Sequence, residues 1–169
     1  MNRRLFSLLA LASLLLPGCS GYQLGGTKPQ RLSHITKLHI PTFENDTLEP
    51  RLAVMVTNAV IKQIQAGGAY EIVNADEADA VLKGRIDMID RSQWRSVRTN
   101  TLRTRELLVR LRTGYKIIDG SGSTVHNGRV NSESYVVLAS NFQVSERQAL
   151  SEAAERMAVT LVNEISDGW

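Results

Sequence analysis

Apolar and polar positions fall into blocks along this chain, and each block assigns an element. Lys37-Leu38-His39-Ile40 reads as a strand, ended by Pro41 and by the turn-forming Glu44-Asn45-Asp46-Thr47. Behind Pro50, placed in a first helical turn, Leu52, Met55, Val56, Ala59, Val60 and Ile64 recur on one helical face until Gly67-Gly68 stops them. Tyr70 to Val73 is a short strand entry. From Ala80 to Met88, Leu82, Gly84, Ile86 and Met88 alternate with Val81, Lys83, Arg85 and Asp87, which is the two-residue period of a strand. Strand, helix, strand predicts a parallel crossover, right-handed by the usual chirality of such units. Leu107, Val109, Leu111, Tyr115 and Ile117 then alternate with Arg110, Arg112 and Lys116. Asp119-Gly120-Ser121-Gly122 is a turn into a last strand from about Thr124 to Val137. Ser145-Glu146-Arg147-Gln148 has the form of a capping box, and Leu150, Ala154, Met157, Leu161 and Ile165 follow at helical spacing. The expected fold is α+β in a single domain over residues 34–169. It is a mixed sheet of about four strands, in the order β-α-β-β-β-α, with two helices packed on one face and charge on the other.

The start of the chain has a different character. Arg3-Arg4 precede an apolar run from Leu5 to Leu16, and Cys19, the only cysteine of 169 residues, follows directly. A basic start, a short apolar stretch and a small residue before the cut describe an export signal, because a membrane span needs roughly 18 or more apolar residues. Leu16-Pro17-Gly18-Cys19 resembles the bacterial lipobox, in which the cysteine thiol receives a diacylglycerol and becomes the acylated first residue. Residues 1–18 are therefore read as a lipoprotein signal peptide, and 19–33 as a lipidated N-terminus and tether with a short strand near Tyr22 to Leu24. An ordinary cleaved signal or an uncut anchor would leave Cys19 without a disulfide partner, an odd usage in an exported chain. Several acyl chains, at ~0.8 kcal/mol per buried methylene, hold a protein on a bilayer for good. Ser20 is not the aspartate that retains lipoprotein-like chains at the inner membrane of enteric bacteria, so an outer-membrane, periplasm-facing address is expected.

Charge narrows the function classes. Without residues 1–18, Lys+Arg falls from 20 to 18 against 17 Asp+Glu, so overall basicity gives no argument for nucleic acid. The distribution is uneven: residues 83–129 hold 11 Lys/Arg against 4 Asp/Glu, whereas 130–169 hold 2 against 6. If the strands around Lys83 and Arg110 form a hairpin, Lys83, Arg85 and Arg91 come near Arg110, Arg112 and Lys116 on the exposed face. Like charges facing one another cost stability, so this cluster suggests an anionic ligand, with arginine suited to bidentate phosphate contacts. The alternative is a solvated face neutralised by Asp87, Asp90 and Glu106. Between Asp90 and Glu106, Trp94 and Arg95 lie among further arginines, either as a partner-binding loop or as an extended strand pair with Trp94 in the core.

Catalytic patterns are weak. His34, His39 and His126 lack the paired spacing of a zinc site, Ser121 and Ser123 lack a nucleophile elbow, and no phosphate-binding Gly-Lys loop occurs. Asp76, Glu77 and Asp79 read as a solvated loop, with a weak calcium site as the alternative. The expectation is a non-enzymatic protein with no metal and no cofactor beyond a covalent N-terminal lipid.

The order Cys19, Gly21-Tyr22-Gln23-Leu24, His39-Ile40-Pro41-Thr42-Phe43-Glu44-Asn45-Asp46-Thr47, Thr57-Asn58-Ala59 within Leu52 to Ile64, then Ala78-Asp79-Ala80-Val81-Leu82-Lys83-Gly84-Arg85-Ile86 resembles the LptE family of lipopolysaccharide-assembly lipoproteins. The likeness covers nearly the whole mature chain in layout and is sharpest within Cys19 to Ile86; Ser20 is an extra residue relative to the pattern. The resemblance implies a plug inside a large LptD-like outer-membrane β-barrel that helps the barrel fold and contacts lipopolysaccharide. Two other readings stay open. Phe43-Glu44-Asn45-Asp46-Thr47 also fits outer-membrane lipoproteins of the curli-secretion or peptidoglycan-synthase-activator type, although the short tether favours a barrel-bound protein. The other is a periplasmic hydrolase.

Overall fold

One hydrophobic cluster gathers buried apolar residues of both helices and of the strands that they cover. In the computed structural model, which describes residues 28–97, 100–137 and 142–167, the chain forms six strands and two α-helices. A 3-10 turn at Gln30–Leu32 precedes β1 (Lys37–His39) and β2 (Glu44–Asn45). Helix α1 (Leu52–Gly67) and β3 (Glu71–Ile72) follow, then three long strands, β4 (Ala80–Val97), β5 (Asn100–Asp119) and β6 (Thr124–Val137), and last α2 (Phe142–Ser166). Cys19 and the Tyr22–Leu24 segment lie outside the described residues.

The sheet runs β3-β1-β4-β5-β6, with β2 continuing the β1 edge along β4. The strands β1, β3 and β4 pair parallel around α1, as the crossover reading expected, and β4-β5-β6 form an antiparallel meander. The mixed α+β class therefore holds, and the two short strands β2 and β3 raise the count from four to six. Asn45 explains why the expected turn is partly strand. It pairs with Ile86 through β2, while its Oδ1 accepts from Thr47 N at 3.1 Å and its Nδ2 donates to Glu49 O at 2.9 Å.

Helix α1 buries Leu52, Val56, Thr57, Val60 and Ile64 and ends at Gly68, whose φ of 66° gives the left-handed cap. Helix α2 buries Leu150, Ala154, Met157, Leu161 and Ile165 on the same sheet face. It begins at Phe142, so Ser145 is not its N-cap but a buried residue of the first turn. Glu146 in that turn is held from the sheet by Arg91.

Asp79 fastens the start of β4 to β1. Its Oδ2 accepts from Thr36 N at 2.9 Å, Thr36 Oγ1 at 2.9 Å and Lys37 N at 2.8 Å. Stabilised as an anion first by these backbone donors, its carboxyl is lowered to about 2. The loop residue expected to be merely solvated is a structural staple.

One residue decides the geometry of the long hairpin. Ile86 pairs with Thr113 and Met88 with Arg112, leaving Asp87 unpaired in a β-bulge. A one-residue insertion exchanges the two faces of the strand beyond it. Before the bulge Leu82 and Ile86 point into the core; after it Met88 points outward, and Arg91 lies opposite the buried Val109.

Candidate functional site: the basic outer face of the sheet

With both helices on one side, no other described element covers the opposite face of β4, β5 and β6, and ladder register fixes its rows. The first contains Lys83, Lys116 and Asn127, and the next contains Arg85, Gly114 and Arg129. Beyond the bulge come Met88, Arg112 and Asn131, then Asp90, Arg110 and Glu133, and then Ser92, Leu108 and Tyr135. Successive rows are roughly 7 Å apart and neighbouring strands roughly 5 Å apart, so each row is an ordered set of side chains at contact spacing.

The first two rows form a cationic niche. Lys83 and Lys116 face each other directly, and neither has a carboxylate within ion-pair distance among the described residues. Arg85 reaches Glu44 at 3.1 Å and Asp46 at 3.7 Å, and Arg129 reaches Asp87 at 3.6 Å, in exposed pairs that water screens strongly. Between the two arginines the floor is Gly114. A groove of about 520 Å³ lies over these residues.

The glycines here differ in kind. A side chain on Gly84 would meet the Phe43 ring at 2.1 Å, and one on Gly128 would meet Tyr115 at 2.6 Å, so both are required by packing on the core face. Gly114 points outward, and a Cβ there would meet only Asp87, at 3.6 Å. Packing does not demand this glycine. What it does provide is close approach of a ligand to the backbone between two guanidinium groups.

Further along the sheet Arg110 is neutralised by carboxylates and Arg112 is held by an amide. Arg110 donates to Glu133 at 2.8 Å and to Asp90 at 3.5 Å; the Glu133 hydrogen bond, above all, raises the arginine and lowers the glutamate. Arg112 donates to Asn131 Oδ1 at 3.3 Å. Arg91, expected on this face, is carried by the bulge to the helix side, where it bridges Glu49 at 3.0 Å and Glu146. The connection from Asp90 to Glu106 is strand pairing nearly to its tip, yet Trp94 is not core. It is 49% exposed and packs edge-on against Tyr135 at 5.1 Å between centroids, with Leu108 of the same face only 1% exposed. Arg95 of β4 pairs through its backbone with Glu106 of β5.

The structure therefore brings together Lys83, Arg85 and Lys116, adds Gly114 and Arg129, and separates Arg91 from the group. Arg129 was missed because the last strand was read only as a strand; the alternation Asn127, Arg129, Asn131 places it on the outer face once β6 is paired with β5. Elsewhere, His39 Nδ1 lies 3.2 Å from Val73 O, and His126 lies 3.2 Å from the Tyr115 hydroxyl, which donates to Glu164 at 2.6 Å. Among the described residues no three His, Cys, Asp or Glu side chains converge as a metal site, and no helix is long and apolar enough to cross a membrane.

The chain is thus a six-stranded mixed sheet backed by two helices, with cationic rows on the face away from them. Among solved structures, the dodecameric PelC of Paraburkholderia phytofirmans is 16% identical with a TM-score of 0.54, covering 83% of this chain and 94% of its own. A minor lipoprotein of Acinetobacter baumannii is 16% identical with a TM-score of 0.51, covering 77% and 90%. At these identities the likeness is one of fold. Curated protein sequences give no significant match. The LptE lipopolysaccharide-assembly family model matches residues 35–165, and the chain belongs to that family.

Proposed function

We propose that this LptE-family chain is a non-enzymatic outer-membrane lipoprotein, acylated at Cys19 after removal of residues 1–18. It partners the large β-barrel of lipopolysaccharide transport, aids folding of that barrel, and helps deliver lipopolysaccharide to the cell surface. Family membership supports the assembly role. One observation supports a direct hold on the glycolipid: the Lys83–Lys116 pair stands without carboxylate partners among the described residues, beside a glycine floor flanked by Arg85 and Arg129. Two facing ammonium groups repel, and a phosphate between them converts that repulsion into two charge-assisted hydrogen bonds. The exposed Trp94 and Tyr135, with Arg95 next to Trp94 in sequence, form the contact to the barrel.

The barrel role is tested by tagging the C-terminus, extracting outer membranes in mild detergent and identifying what co-purifies at one-to-one ratio. A single large β-barrel is the expected result; a peptidoglycan synthase or no stoichiometric partner overturns the reading. The niche is tested in purified protein with Lys83→Glu plus Lys116→Glu. Lipopolysaccharide binding should be lost with circular dichroism unchanged, whereas retained binding moves the ligand elsewhere. Arg110→Glu plus Arg112→Glu, which acts on already partnered cations, should weaken binding less.

A further inference from the structure

The crevice between the two helices, on the side away from the sheet, is a second unassigned surface. Two adjoining grooves of about 360 and 400 Å³ open there and share Met55; α1, α2 and the turn ahead of α1 line them, and no strand does. Their floor is apolar: Leu52, Leu150 and Ala154 are buried, and Met55 and Ala59 are partly so. Val159, 41% exposed, borders it. The Thr57-Asn58-Ala59 triplet is divided by this geometry. Thr57 Oγ1 accepts from Phe43 N at 3.0 Å inside the fold, whereas Ala59 lines the floor and the exposed Asn58 amide lines the rim.

Charge identifies the occupant. At the mouth of the crevice, Glu49 and Glu146 are both held by Arg91 from the sheet. The remaining rim charges are Arg51, Lys62 and Arg147 against Glu155 alone, and none of these four side chains has an ion-pair or hydrogen-bond partner among the described residues. Surplus positive charge around an apolar floor fits a segment that carries apolar side chains flanked by carboxylates. From Arg51 to Lys62 the rim runs roughly 16 Å along α1, room for about three turns of helix or five extended residues. We infer that this crevice seats an acidic, apolar segment of a partner polypeptide, its carboxylates reaching Arg51, Arg147 and Lys62. The contact lies on the opposite side of the sheet from Trp94 and Tyr135, so it adds to a one-to-one partnership instead of competing with it. It does not require the partner to be the β-barrel.

The test places the photo-reactive residue benzoylphenylalanine at Asn58 or at Ser151 of the full-length protein in its native cells, with Gln148, exposed on α2 outside the crevice, as the control position. Irradiation should join the Asn58 and Ser151 positions to one polypeptide, through a segment that mass spectrometry shows to be apolar with several carboxylates; the Gln148 position should not join it. Arg51→Glu plus Arg147→Glu should lower the yield about tenfold or more without reducing thermal stability, because like charges then face each other across the contact. Changing the captured carboxylates to lysine should restore the yield with that variant, a rescue that a folding defect would not show. No cross-linked polypeptide, a lipid or a second copy of this chain as the only product, a neutral or basic segment, or a yield indifferent to the charge reversals each overturns the inference. A captured acidic segment from a protein other than the barrel upholds it, and the barrel reading is then decided by the tagged purification alone.

Discussion

The two halves of the β4–β5 hairpin, divided at Asp87, contain similar residues and use them differently. In the near half, Lys83 and Lys116 have no partner among the described residues, Arg85 and neighbouring Arg129 of β6 make only solvent-accessible pairs, and Gly114 leaves the backbone bare. In the far half, Arg91 and Arg110 are each tied to two carboxylates, and aromatic side chains replace charge on the open face. Counting cations along the sequence treats these halves as one basic region. What matters for ligand capture is the cation left without an internal partner, and those are concentrated in the near half.

The sharpest way to break the comparison is to separate the glycines. Gly84→Val drives a side chain into the Phe43 ring and should cost about 3 kcal/mol of stability in chemical denaturation. Gly114→Val should leave stability nearly unchanged while lowering lipopolysaccharide affinity, since it fills only the niche floor. Equal destabilisation by both would show that Gly114 is a packing residue after all.

Arginine removal comes next. Arg91→Met leaves Glu49 and Glu146 facing each other and should cost about 1–2 kcal/mol. Arg85→Met, whose partners are exposed, should cost less than about 0.5 kcal/mol. Reversed magnitudes would place the structural cations in the near half.

Acid tests the staple at the near end. The Asp79 carboxyl lies at about 2 in the folded chain against an ordinary 3.8, so its contribution is fully present well above 3.8. That contribution is lost as pH falls through the folded value near 2. Asp79→Asn should be less stable at neutral pH, and its stability should fall less steeply over that acidic window in pH-resolved thermal melts. A parallel decline in both proteins would remove Asp79 as a source of the acid sensitivity.

The smallest effect runs the other way. Lys116→Ser removes a like charge directly opposite Lys83 and should raise stability by about 0.2–1 kcal/mol while weakening anion binding. A loss of stability would mean that the lysine pair is not repulsive.

Much of this was legible in the chain. The helical faces of α1 and α2, the alternation of β5, and the strand-helix-strand order followed from apolar spacing, because burying one stripe or one face is a local requirement that sequence period reports directly. Lys83, Arg85 and Lys116 were placed on the outer face for the same reason. The Glu44–Asn45 strand was not legible, since two residues have no period and β2 exists only because β4 offers it a free edge.

What sequence could not supply was everything that depends on register. The bulge at Asp87 inserts one residue into a regular alternation, and a single insertion reverses the face of Arg91, Met88 and Trp94 without any local sign of doing so. The carboxylates that neutralise Arg110 and Arg91 come from β4, β6, the turn before α1 and α2, between 20 and 55 residues away along the chain. By itself the sequence determined which residues face inward within an unbroken element, because that is set by local periodicity and the hydrophobic effect. Tertiary structure alone decided which cations remain free, because ion pairing depends on distances between strands and helices that no local pattern encodes.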